Sequence, residues 1–271
     1  MAKQRLLLVT HKVAPYLPAD EQSLGKNFPH RIASRGYEVR TFMPKFGMVN
    51  ERRNQLHEVI RLSGINIPIN NNDHPLVVKV ASLQPSRIQV YFIDNDDYFT
   101  KSEDDSDVLG SNRKDNEERT IYFAHATAET VKKLLWDPTI VYVSGWISAL
   151  LPLYLKKKYS RESTYLKSKI IYSVLPGEIK EKDGSELLKK LIDEGISEET
   201  LEPYKGKKFS ADLLHRIAIE NSDAVIFHMP SPSKMLLEIA EKKGLPILIF
   251  DEKDENLQSV SDFFKSLTDE N

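Results

Sequence analysis

The sequence contains no cysteine among its 271 residues. That absence excludes disulfide bonds, thiolate metal sites and cysteine nucleophiles, and it leaves the redox compartment open. The seven histidines are scattered, with no His-x-Glu or His-x-x-x-His pattern, so no metal site is predicted. Neither a Gly-x-Gly-x-x-Gly turn nor a P-loop lysine motif occurs. The sequence therefore predicts no cofactor.

An excess of either charge is also missing. The chain has 38 lysines and arginines against 40 acidic residues, a net charge of -2, and such a mixed surface does not favour nucleic acid. The longest apolar stretch, residues 146–155, is too short to span a bilayer. The apolar run 6–9 passes directly into His11, which is typical of a buried first strand rather than a secretory signal. We expect a cytoplasmic protein with no nucleic-acid or membrane partner.

Short apolar, β-branched runs alternate with segments of helical period over most of the chain. This alternation predicts an α/β fold, a single Rossmann-like domain with a parallel sheet and crossover helices. Strands are predicted at residues 5–10, 38–42, 88–93, 139–143, 169–173, 224–227 and 246–250, and helices at 23–34, 117–135, 147–157, 185–194, 210–221, 233–243 and 256–267.

A small β-rich insertion is predicted at about residues 50–85, where the alternation with helices breaks down. Strand-like segments there cover residues 57–62, 65–69 and 76–83, and the polar residues 70–73 separate the second from the third.

Several blocks occur in a family-specific order. They are Leu6 to Tyr16, Arg35 to Arg40, Met43 to Gly47, Val90 to Asn95, Asp115 to Arg119 and Trp146 to Leu155. In this order they resemble the N-terminal catalytic domain of bacterial glycogen and starch synthases. The resemblance implies one half of a two-domain, GT-B type glycosyltransferase, in which two Rossmann-type domains close around a cleft. Residues 1–271 would form that half, without the C-terminal nucleotide-sugar domain.

The first loop departs from the family pattern. The family's Lys-x-Gly-Gly signature lets bare backbone approach the phosphates of the sugar nucleotide, whereas this loop carries Asp20-Glu21 about where the glycines would lie. Phosphate binding at such a loop depends on free backbone donors and a positive field, which two carboxylates oppose. Gly25 and Lys26 follow. Lys26 is a candidate displaced substitute for the family's lysine.

Two further signatures are also changed. The family's His-Ala-His-Asp-Trp-His corresponds to residues 142–147, where Ser144, Gly145 and Trp146 stand and all the histidines and the aspartate are missing. Trp146 shares helical spacing with Leu150, which favours a core position for it. The family's Thr-Ile-His-Asn corresponds to residues 173–176, again without histidine. The resemblance therefore implies a cleft that has lost its contacts to the glucosyl unit, and no catalytic residue is predicted.

Other candidate cleft-lining residues come from position alone. His11 and His228 each follow a predicted strand, at the edge where open α/β sheets place ligands. Each is either a general base or an ordinary polar edge residue. Glu178 is either a pocket carboxylate or part of a solvated loop. Asp115 is expected to cap the helix that follows it.

Three functional hypotheses remain open at this stage. The first is a glycogen synthase-like domain that is not catalytically active alone and binds glucan or a protein partner. The second is a glycosyltransferase subunit that uses ADP-glucose together with a separate partner chain. The third is a structural or interaction module that reuses the fold.

Overall fold

The computed structural model of the chain describes residues 3–20, 23–25, 27–100, 107–229, 231–251 and 253–268. The described residues form thirteen β-strands, and those of the parallel part of the main sheet coincide with apolar runs of the sequence. The strands are β1 (Arg5–Val9), β2 (Glu38–Pro44), β3 (His57–Glu58), β4 (Asn66–Ile69), β5 (Asn72–Pro75), β6 (Val77–Leu83), β7 (Ile88–Asp94), β8 (Ile140–Ser144), β9 (Lys169–Val174), β10 (Lys182–Asp183), β11 (Lys208–Phe209), β12 (Ala224–Phe227) and β13 (Ile247–Ile249).

The main sheet has nine strands in the order β13-β12-β9-β8-β1-β2-β7-β6-β3. All neighbours from β13 to β7 pair in parallel, whereas β6 and β3 continue the sheet in antiparallel fashion. The central strands are buried on both faces, which is why their sequences are continuously apolar. The predicted α/β fold with a largely parallel sheet is confirmed.

The α-helices are α1 (Phe28–Ser34), α2 (Asn116–Lys133), α3 (Leu151–Lys156), α4 (Ser185–Asp193), α5 (Glu198–Leu201), α6 (Ala211–Glu220), α7 (Lys234–Lys242) and α8 (Gln258–Thr268). Helices α2, α3, α6 and α7 contact one another in series and cover one face of the sheet. On the other face, Phe28 of α1 stacks on Tyr142, and Phe264 of α8 packs against the same ring. Two helix layers therefore enclose the strands.

Two predicted helices are shorter than expected. The helix predicted at 23–34 begins only at Phe28, with Pro29 in its first turn. The helix predicted at 147–157 is divided into a 3₁₀ turn at Trp146–Ser148 and α3, which has Pro152 in its first turn. Proline lacks an N–H and clashes with the preceding turn, so a helix tolerates it only near its start.

Asp115 does not cap α2. It precedes the helix, but its side chain makes no capping hydrogen bond and instead accepts from Arg113 at 2.8 Å. The predicted cap was wrong because the neighbouring guanidinium takes the carboxylate.

The β-rich segment is divided between two sheets, because β3 and β6 extend the main sheet whereas β4 and β5 form a separate two-stranded sheet. Strand β6 pairs with β7 along its whole length, while β3 spans only His57–Glu58 of the predicted 57–62. Strands β4 and β5 form a hairpin whose turn is Asn70-Asn71, and both residues have positive φ. Asparagine tolerates this geometry, so the turn is tighter than the predicted 70–73.

Within the part of the chain that the structure describes, none of the helices is long and apolar enough to cross a membrane.

Candidate functional site at the sheet switch point

The strand order reverses between β1 and β8. From β1 the chain moves to β2 on one side, whereas from β8 it moves to β9 and β12 on the other. Ligands of open α/β sheets bind in the crevice outside the carboxyl ends of the strands at such a reversal. The segments that leave the two strands, residues 10–12 and 144–146, are here called the switch point.

The imidazole of His11 fills the switch point. A Cβ atom placed on Gly145 would lie 2.1 Å from both Cε1 and Nδ1 of His11, so the ring rests directly on the glycine backbone. His11 is only 1% exposed. Gly145 has φ 81° and ψ 161°, a conformation open essentially to glycine alone. The structure therefore brings the candidates His11 and Gly145 together as mutual packing partners.

Two buried side chains lie behind Gly145. The Tyr172 hydroxyl is 3.3 Å from the carbonyl oxygen of Gly145 and 2.6 Å from Nδ1 of His215 on α6. Burial, together with the charge of the neighbouring His11, lowers the pKa of His215 to about 4. His215 is thus a neutral core imidazole at neutral pH. No sequence pattern singles it out, because it lies in the apolar pattern of α6.

Ser144 and Trp146 flank Gly145 and are equally buried. In the part of the chain that the structure describes, the Ser144 hydroxyl and the Trp146 indole N–H have no hydrogen-bond partner. The turn that begins at Trp146 packs against α2, as its helical spacing predicted. Both side chains are enclosed within the fold.

An ion pair closes the first loop. Lys12 is 6% exposed, and its Nζ lies 2.5 Å from Oδ2 of Asp20. The carboxylate that was expected to repel a phosphate thus neutralises the buried lysine next to His11. Sequence reasoning missed Lys12, although its place directly after the first strand is a signal that could have pointed to it.

Two other candidates, Gly25 and Glu178, are exposed and take no part in the buried contact between His11 and Gly145. Gly25 has φ 85°, and its N–H donates to the Ser23 hydroxyl at 3.3 Å. Glu178 lies in the loop after β9. Lys26 lies outside the described residues.

His228 follows β12, two strands away from β8. Its ring stacks on Phe250 with centroids 4.2 Å apart and an interplanar angle of 9°. Burial, together with the charge of Arg31, lowers the pKa of His228 to about 4. The imidazole is therefore neutral at pH 7.

Metal binding has no support in the described ranges, where no cluster of three or more histidine, aspartate or glutamate side chains is arranged to hold an ion.

The profile of the starch synthase catalytic domain family matches residues 23–248. The chain belongs to this family. The predicted resemblance to glycogen and starch synthases is confirmed, and the match covers the switch-point segment 144–146.

Glycogen synthases from green sulfur bacteria are among the similar curated proteins. That of Chlorobaculum parvum is 35% identical over 172 residues, which is 63% of this chain and 35% of the relative. That of Chlorobium luteolum is 37% identical over 157 residues, covering 57% of this chain and 32% of the relative. The chain spans about a third of the length of these relatives.

A solved structure shares the fold. The catalytic domain of starch synthase IV from Arabidopsis thaliana, bound to ADP and acarbose, aligns with a TM-score of 0.67 over 92% of this chain and 52% of that chain. Sequence identity is 14%. At that identity the match shows the GT-B type architecture of one half.

Proposed function

We propose that this chain is a glycogen or starch synthase-like domain that does not transfer glucose by itself and that acts by binding glucan or a protein partner. The contact between His11 and Gly145 carries the proposal. A glucosyl unit at the switch point would have to displace a buried imidazole that rests on backbone.

The first loop supports the same conclusion through its charge. A sugar-nucleotide diphosphate requires uncompensated positive charge or free backbone donors. Lys12 is already paired with Asp20 at 2.5 Å, so its charge is compensated within the loop. Releasing Lys12 to a phosphate would leave the Asp20 carboxylate beside the same anion.

The expected result of an activity assay is therefore negative. Purified full chain, incubated with glycogen and radiolabelled ADP-glucose or UDP-glucose, should incorporate no glucose above a heat-inactivated control. An active glycogen synthase assayed in parallel verifies the substrates. Time-dependent incorporation that scales with the concentration of this chain would contradict the proposal.

Removal of the His11 ring tests the filled crevice directly. His11→Gly should leave an imidazole-sized opening against Gly145, and added imidazole should raise the melting temperature of this variant in a saturable manner. His30→Gly is the matched control, because the His30 ring lies at the surface and contacts the Ser86 hydroxyl. Equal responses of both variants, or no response of His11→Gly, would show that the ring does not fill a site.

A second candidate function is a transferase half completed by another polypeptide. The observation that favours it is that the matching relatives are named glycogen synthases and extend well beyond the matched region. In that case, incorporation of glucose should appear only when a partner protein is added. In the presence of the partner, His11→Gly would then differ in activity from the wild type, because the variant lacks the ring that fills the switch point.

A further inference from the structure

A second polar cluster lies beside α1, where Phe28 packs against the sheet. It consists of Arg31 on α1 and His228 after β12, here called the Arg31–His228 pair. Phe28 joins the two elements, because its ring stacks on Tyr142 at 5.5 Å and meets the His228 ring edge-on at 6.4 Å.

Both side chains carry a buried nitrogen without a partner. Among the described residues, Nε of Arg31 and Nδ1 of His228 have no hydrogen-bond partner. Leaving a buried polar group unsatisfied costs roughly 1–3 kcal/mol, and more for a charged group. Two such atoms on neighbouring side chains are unusual in a native fold and call for an acceptor.

The surrounding contacts fix these side chains without satisfying them. Nη1 of Arg31 donates to the carbonyl oxygen of Glu255 at 2.8 Å, and the guanidinium lies 3.5 Å from the position of a Cβ on Gly25. The plane of His228 is set by its stacking on Phe250, while its backbone N–H donates to the Val174 carbonyl at 3.0 Å. These contacts use the other groups of both residues and leave Nε of Arg31 and Nδ1 of His228 without an acceptor.

Charge selects the class of ligand. Among the ion pairs of the described residues, none engages Arg31, so its positive charge lacks a carboxylate partner there. A neutral ligand would leave that charge uncompensated, and a cation would be repelled. An oxyanion accepts from both a guanidinium and an imidazole N–H through separate oxygens.

We propose that the Arg31–His228 pair is a binding site for an oxyanion of the phosphate class. One oxygen accepts from Arg31 Nε, and another accepts from His228 Nδ1. Both side chains are only partly buried, so the anion reaches the two nitrogens from solvent once these side chains shift. The site uses other side chains than the switch point and does not depend on the proposed lack of transferase activity.

The test is calorimetric titration of the full chain with inorganic phosphate at constant ionic strength. We expect saturable binding, weakened at least about tenfold by Arg31→Gln, which corresponds to about 1.4 kcal/mol. Arg35→Gln is the matched control. Arg35 is the C-cap residue of α1, one turn after Arg31, and it likewise donates to a backbone carbonyl, that of Asn256 at 2.7 Å. Its affinity should stay within about twofold of the wild type.

A second measurement covers the case in which Arg31→Gln does not fold. In the wild type, the ring NMR signals of His228 should shift on addition of phosphate. Those of His30, which lies on α1 like Arg31, should not shift. Parallel titrations with ADP separate free phosphate from a nucleotide phosphoryl group as the source of the oxyanion. Absence of saturable binding, equal losses in both arginine variants, or equal shifts of both histidines would overturn the proposal.

Discussion

Replacing Gly145 with alanine is expected to destabilise the chain by about 4 kcal/mol. Roughly 1–3 kcal/mol arises from forcing a side chain into a backbone region open only to glycine. About 1–3 kcal/mol more comes from overpacking, because the new Cβ would lie 2.1 Å from the His11 ring. Urea unfolding of the wild type and the variant measures the difference. A loss below about 1 kcal/mol would contradict the contact between His11 and Gly145.

A control variant separates the backbone strain from the steric clash with the His11 ring. Gly195 also has positive φ, at 89°, but a Cβ there would meet no atom within 4 Å. Gly195→Ala should therefore cost only the backbone term, about 1–2 kcal/mol. In the double variant His11→Ala with Gly145→Ala, part of the stability lost to the steric clash should be recovered. The coupling energy of this double-mutant cycle measures that part. Additive losses would mean that the two residues do not touch.

Replacing Glu194 with alanine is expected to have the second large effect, a loss of about 3–5 kcal/mol. The Glu194 carboxylate lies 2.7 Å from Nδ1 of His125 and 2.8 Å from Nζ of Lys158, and its side chain is only 5% exposed. Removing it leaves the buried His125 and the half-buried Lys158 without their acceptor. Chemical denaturation at pH 7 measures this loss.

The stabilisation by Glu194 should decrease as the pH falls. Burial by itself raises the pKa of this carboxyl, but the hydrogen bond and charge of His125, followed by those of Lys158, outweigh it and hold the pKa below 4.5. A carboxyl with a lowered folded-state pKa contributes its stability above the unfolded value and loses it as the pH falls through the folded value. The gap between the wild type and Glu194→Ala should thus narrow at acid pH.

Glu162→Ala supplies the comparison for this cluster. Glu162 pairs with Lys132 at 2.9 Å, yet both side chains are more than a third exposed. A pair so exposed contributes about 0–1 kcal/mol. Equal losses of stability in both glutamate variants would show that the buried cluster does not stabilise the fold as described. So would a stability difference between the wild type and Glu194→Ala that increases at acid pH.

The order and type of the main elements could be predicted because each central strand is a short apolar run between helical segments. Even the first strand, predicted at residues 5–10, ends only one residue earlier, at Val9. Local interactions explain where the predicted helix boundaries and the predicted cap were wrong. Pro29 and Pro152 shift the starts of α1 and α3, and Arg113 takes the carboxylate of Asp115 away from the helix.

The sequence could place His11 and Gly145 at the carboxyl edge of the sheet, but their contact could not be predicted. His11 and Gly145 are far apart in sequence, and their contact depends on the parallel pairing of β1 with β8. Asp20 was singled out in the sequence but Lys12 was not, and no periodic pattern encodes the loop geometry that joins them. Nor could the sequence predict that Phe28 of α1, the helix that carries Arg31, packs against the His228 ring.

Repair of the family signature at the switch point is also constrained by this geometry. Restoring aspartate at Gly145 would place a side chain where the His11 ring lies, so the loss of stability expected for alanine applies at least equally. The filled crevice is therefore a property of the packing around Gly145 and not only of missing functional groups.

Calorimetric titration of the full wild-type chain with ADP-glucose tests the filled switch point most directly. We predict no binding tighter than about 1 mM, equivalent to roughly 4 kcal/mol, because His11 occupies the crevice and Asp20 compensates Lys12. A dissociation constant well below 1 mM that His11→Gly leaves unchanged would show that the switch point admits the sugar nucleotide and would contradict the account.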